Sequence, residues 1–171
     1  MYHAGLVCGL LMGILAGVLA VFLLFKKAIL SMEFDERQER ARGKAFQYGF
    51  FTLMIVLYVY GVSEMVLGRW CDTLTGVTLC VAAAVSVFAI TCILKDAYLS
   101  LKEKPRQIMT LFTLIAVFNL GIGGIYLWSG DLVENGVLTF RATNPIVGLM
   151  VLLILVVYIV NFLLRDREEE E

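Results

Sequence analysis

The chain has 171 residues, 60% of them apolar, a mean hydropathy of +0.86 and a formal net charge of -1. Soluble domains are roughly 45 to 50% apolar, so a water-soluble globule is excluded, and near-neutral charge leaves no electrostatic basis for nucleic-acid binding. The charges are also segregated, leaving five nearly uncharged stretches that each exceed the ~18 residues marking a membrane-crossing helix.

These stretches predict spans at 4–25, 45–67, 73–94, 107–130 and 142–164. Each is long enough, at about 1.5 Å per residue, to cross a hydrocarbon core of roughly 30 Å. The expected fold is therefore an all-α integral membrane protein, five helices in one bundle and one domain. Basic residues stay in the cytoplasm, and they are unequally divided. Lys26, Lys27, Arg37, Arg40, Arg42, Lys44, Lys95, Lys102, Lys104, Arg106, Arg165 and Arg167 fall on one side, Arg69 and Arg141 on the other. The N-terminus is thus expected outside and the C-terminus in the cytoplasm. Trp70 and Trp128 then fall at the outer boundary, where interfacial aromatic anchors belong.

The first span contains GLVCGLLMGILAG, with Gly5, Gly9, Gly13 and Gly17 at every fourth position. In lipid, small residues four apart let two helix backbones approach closely. This glycine zipper predicts a packing face, turned either to another helix of the same chain, such as the GIGG cluster at Gly121 to Gly124, or to a second protein. Met1-Tyr2-His3 lacks the basic start of a signal peptide, so this span is expected to be retained as an anchor.

The segment SMEFDERQERARGKA between the first two spans predicts a charged cytoplasmic helix over 31–44. Asp35 is positioned to cap it with Gln38 reaching back, while Glu33 to Arg37 and Glu36 to Arg40 have favourable i,i+4 order. The segment is expected to be a solvated, topology-setting connector that either lies along the headgroups or continues into the second span, with Gly43 as a bend where the chain enters lipid. Asp35-Glu36-Arg37-Gln38 followed by Arg42-Gly43-Lys44-Ala45 resembles a signature in families of uncharacterised small integral membrane proteins of bacteria and archaea. The resemblance covers about 30 residues here and transfers no catalytic residue. It implies a prokaryotic plasma-membrane protein with an accessory or regulatory role, since some relatives are encoded beside small helix-turn-helix regulators.

Glu64 is the one charged residue within a span, and an intramembrane carboxylate is by default a functional candidate. It precedes Trp70 by six residues, about 9 Å along a helix, which puts it near the outer boundary. Thr75 and Thr78 of the third span are expected at similar depth, and Asn119 of the fourth one turn deeper. They give either a small proton- or cation-binding site around Glu64, Asn119 and Thr78, or an interfacial carboxylate held by Ser, Thr or Arg141. Asn119 and Asn161 read as interhelical hydrogen-bond partners. Cys8 and Cys71 fall at one boundary, where a bridge between them is conceivable, though free thiols are commoner in such helices.

The segment 131–141 predicts an outer hairpin turning at Asn135-Gly136, and Asn144-Pro145 a helix start with Asn as cap. The acidic tail 165–171 is expected to be exposed. The sequence has no HExxH, no Cys/His pair at metal spacing, no nucleophile elbow and no phosphate-binding loop. It predicts no enzyme and no cofactor. The partners expected are the lipid bilayer and another membrane protein or a second copy. The alternative is a small transporter or channel subunit with a polar site at Glu64.

Overall fold

A computed structural model describes residues 33–101 and 104–169, together with residues 12, 15–17, 19 and 23 of the first span; side chains are described as far as residue 164. The chain divides into two compact units. One comprises Met1–Phe34 with Ser100–Lys102. Its described residues in the first span are helical, and the Leu101 amide donates to the Glu33 carbonyl at 3.0 Å. Gly5, Gly9 and Gly13 lie outside the described residues, and Gly17 is helical with open space at its Cβ position.

The other unit, Asp35–Leu99 with Glu103–Glu171, contains four long apolar helices. They are α1 (Glu36–Leu67), α2 (Thr73–Leu94), α3 (Pro105–Ser129) and α4 (Thr143–Glu169). Four helices long and apolar enough to cross a bilayer make this a multi-pass membrane protein by its architecture.

The charged segment and the second span form one uninterrupted helix. α1 runs 32 residues, about 48 Å, so several of its turns extend past a hydrocarbon core of about 30 Å. Gly43 lies inside it. The helix starts at Glu36, which leaves Glu33 before the first turn instead of one turn below Arg37. α4 likewise runs on to Glu169, through most of the acidic segment anticipated as an exposed tail. It begins one residue before Asn144, after a 3-10 turn at Phe140–Ala142, so Asn144 sits within the first turn and does not cap it.

The helices pack as a row: α1 on α2, α2 on α4, α4 on α3. Small residues set this order. Most of the buried residues of α2, which lies between two neighbours, are small: Thr75, Gly76, Cys80, Ala82, Ala84, Ala89 and Cys92, with Ile93 the one large side chain among them. Gly49 of α1 lies so near α2 that an added Cβ would be 3.2 Å from the Ala84 carbonyl oxygen. Gly123 of α3 faces Pro145 of α4, and Gly148 of α4 faces Leu120 of α3; a Cβ at either would come within 2.8 Å of its neighbour. Close approach through small residues is how helices associate where lipid removes the hydrophobic drive. Of the GIGG cluster, Gly123 is spent on Pro145, while Gly121 and Gly124 have open space beside them. A core of Ala89, Ile93 and Ile154, flanked by Phe112 and Tyr158, joins α2, α4 and α3.

At the end where α1 stops and α2 starts, two short strands, β1 (Val133–Glu134) and β2 (Val137–Leu138), pair antiparallel. Asn135 and Gly136 have φ of 52° and 79°, the two left-handed positions of a type I′ turn. The Leu138 amide donates to the Trp70 carbonyl at 2.9 Å and the Asp72 amide to the Leu138 carbonyl at 2.8 Å, which ties the hairpin to the α1–α2 connection.

Candidate functional site

Polar side chains gather at the two ends of the row. At the first end the cluster is built on the opening turns of α1. Asp35 caps the helix: its carboxylate accepts from the Gln38 amide at 2.7 Å, and Gln38 Oε1 accepts from the Asp35 amide at 3.2 Å. That capping box fixes the Gln38 side chain, whose Nε2 is then aimed at the turn that follows α2. It donates to the Asp96 carbonyl at 2.8 Å and the Leu99 carbonyl at 3.4 Å, and the residue is buried.

One turn later Arg42 donates to the carbonyls of Ala97 at 3.1 Å and Tyr98 at 3.5 Å, its guanidinium 5.7 Å from the Phe88 ring centre. Arg37 lies 3.8 Å from the Asp96 carboxylate. From α4, Asn161 donates to the Ile93 carbonyl at 3.3 Å.

The reason for this convergence is the end of α2. The last carbonyls of a helix lack intrahelical donors and carry partial negative charge, so donors and cations are favoured there. Asp96 adopts φ of 52° and the Ala97 amide closes back on the Cys92 carbonyl at 2.8 Å, which turns the chain sharply. Asn161 of α4 supplies a donor to the end of α2 at Ile93, and Gln38 and Arg42 of α1 donate to the carbonyls of the turn beyond it, from Asp96 to Leu99. Asp35, Arg37, Gln38 and Arg42 thus form a clamp. Glu36 pairs with Arg40 at 3.5 Å on the exposed face, and Lys44 is exposed.

At the other end, Tyr60 Oη donates to Glu64 Oε1 at 2.9 Å. Ser63 Oγ donates to the Tyr60 carbonyl at 2.7 Å and accepts from Trp70 Nε1 at 2.9 Å, while the Tyr60 and Trp70 rings meet edge to face at 5.9 Å. The Tyr60 ring lies over Gly76, where any Cβ would overlap it. Thr75 is buried and donates to the Thr139 carbonyl at 2.8 Å; Thr78 is half-buried on α2. Asp72 accepts from Arg69 at 2.8 Å and from the Phe140 amide at 3.0 Å.

The polar path expected from Glu64 to Asn119 is not assembled. Asn119 donates to the Ile115 carbonyl of its own helix at 2.9 Å, and it stands on α3, at the far side of the row from α1. Arg141, weighed as a partner for Glu64, instead lies 3.4 Å from Asp131 and 5.6 Å from the Tyr126 ring centre. Asn161 does bond between helices. Cys8 is outside the described residues, and Cys71 is a free, buried thiol. Among the described residues no group of three His, Cys, Asp or Glu side chains is placed to hold a metal ion.

The sequence does not announce Asp96, because LKDAY carries no glycine to mark the sharp turn after α2, and Lys95 enters it only as one of the basic residues that set the orientation. No family model matches the chain, and the searches of curated proteins and of solved structures found no match either.

Proposed function

We propose that this chain is a multi-pass protein of a prokaryotic plasma membrane, with its clamp end in the cytoplasm and its hairpin outside, acting as an accessory or regulatory subunit through helix–helix contacts. The observation that carries the reading is the open row that the four long helices form among the described residues. α1 and α3 occupy its edges, and the most hydrophobic window of α1 has none of its residues buried. Met54, Ile55, Tyr58 and Met65 on α1, and Leu114, Val117 and Phe118 on α3, are all exposed. Lipid satisfies such faces, and so does another membrane helix. A row of helices presents two edges for partners where a closed bundle presents none.

The orientation rests on the basic residues. Arg37, Arg40, Arg42, Lys44, Lys95, Lys104 and Arg106 belong to the clamp end, whereas Arg69 and Arg141 belong to the hairpin end together with Trp70 and Trp128. This is the distribution of a positive-inside protein with an outer aromatic boundary.

A photo-crosslinking residue placed at Ile55 or Phe118 in native membranes tests the role. The expected result is a discrete protein adduct of fixed mass at one edge or both. Lipid adducts alone at both positions contradict it. The glycine face of the first span is tested by Gly9→Ile with Gly13→Ile, which is expected to lower the oligomeric mass in detergent.

A further inference from the structure

At the clamp end of the α1–α2 seam, a cleft of about 410 Å³ is lined by Arg37, Arg40, Lys44, Lys95, Leu94 and Asp96. We propose that this cleft binds the phosphate headgroup of an anionic phospholipid of the cytoplasmic leaflet. The inference rests on the orientation proposed above.

Three observations point to that occupant. The first is depth. Lys44 directly precedes the apolar stretch of α1, and Leu94 and Lys95 are the last residue of α2 and its C-cap, so the cleft sits where hydrocarbon gives way to headgroups. The second is charge: four cations line the cleft against one carboxylate. Arg37 faces Asp96 and Arg40 faces Glu36 at 3.8 and 3.5 Å, whereas Lys44 and Lys95 take part in no ion pair among the described residues. Two unpaired ammonium groups from two helices, with two guanidiniums beside them, suit a phosphodiester that takes several donors at once. The third is what lies toward the membrane. Tyr48, Phe51 and Ile55 follow Lys44 down the same side of α1 at intervals of three or four residues, and all are exposed. They offer an acyl chain a surface continuous with the headgroup cleft, which a soluble phosphate does not use. The volume is within the roughly 300 to 1,000 Å³ of small-ligand clefts.

The test uses the full chain, purified in detergent, stripped of lipid and titrated in native mass spectrometry with phosphatidylglycerol or with phosphatidylcholine of the same acyl chains. Wild type is expected to retain phosphatidylglycerol preferentially. Lys44→Gln with Lys95→Gln is expected to weaken that retention at least about tenfold, since each basic residue near an anionic surface is worth about a factor of five. Lys104→Gln with Arg106→Gln removes the same charge from the same end outside the cleft and is expected to change it little. Both pairs are exposed, and an unchanged helical circular dichroism spectrum shows each variant folded. Equal loss in the two double variants, or no loss in the first, overturns the site. Full displacement of the lipid by millimolar inorganic phosphate assigns the cleft to a soluble anion and overturns the lipid proposal. None of these outcomes depends on whether the α1 and α3 edges bind a protein partner, so the site and the accessory role fail separately.

Discussion

Gln38 joins two helices with one amide: Oε1 accepts from Asp35 at the start of α1, and Nε2 donates to the Asp96 carbonyl 2.8 Å away, just past the end of α2. Its loss therefore removes a cap and a hydrogen bond between the two helices at the same time. Gln38→Ala is expected to destabilise the folded state by about 1 to 3 kcal/mol, the sum of a weakened cap and a lost hydrogen bond from a buried side chain. Thermal unfolding in detergent measures it as a Tm several degrees lower. Glu36→Ala, which removes only an exposed pair, is expected to shift Tm by much less.

Gly76 and Gly61 give a contrast within the same pair of helices. A methyl at Gly76 overlaps the Tyr60 ring, which is itself held by Glu64 and Trp70, while a methyl at Gly61 meets open space. Gly76→Ala is expected to cost about 1 to 3 kcal/mol through overpacking, and Gly61→Ala to be neutral or slightly stabilising. The difference in Tm between the two variants is the readout.

Asp72 fastens the hairpin. Its two carboxylate oxygens hold Arg69 and the Phe140 amide, so Asp72→Ala frees both the α1–α2 connection and the entry to α4. The expected result is faster cleavage within 131–141 by added protease, with helical content unchanged. Cleavage at the wild-type rate contradicts this role.

The alternative of transport through a polar site at Glu64 has a direct check. With Asn119 bonded to its own helix across the row, Glu64 is placed as a structural acceptor for Tyr60. Glu64→Gln keeps an acceptor for that hydroxyl. It is expected to leave folding intact and pH-dependent flux in proteoliposomes equal to that of wild type. A flux present in wild type and lost in the variant favours the transport reading.

The four long helices were legible in the sequence because lipid demands uninterrupted apolar runs, and 73–94 coincides with α2 residue for residue. The Asp35–Gln38 cap and the Asn135-Gly136 turn were legible too, since each depends on residues only a few positions apart. The lateral order of the helices was not. It depends on which small residue meets which neighbour, and Gly49, Gly76, Gly123 and Gly148 look alike in one dimension. For the same reason the charged connector read as a solvated helix, although Gln38 and Arg42 are directed at carbonyls more than fifty residues away. The grouping of Glu64 with Asn119 followed from depth alone, and depth does not give position around the bundle.

The central claim is that this bundle crosses a membrane with its clamp end inside and its hairpin outside. Glu134 and Lys104 are exposed at opposite ends of the row, which makes them the informative positions. Single cysteines introduced as Glu134→Cys and Lys104→Cys, probed with a membrane-impermeant maleimide against wild type as background, test it most directly. Labelling of E134C in intact cells, and of K104C only after permeabilisation, is the expected result. Equal labelling of both in intact cells, the reverse pattern, or a chain that stays in solution without detergent contradicts it.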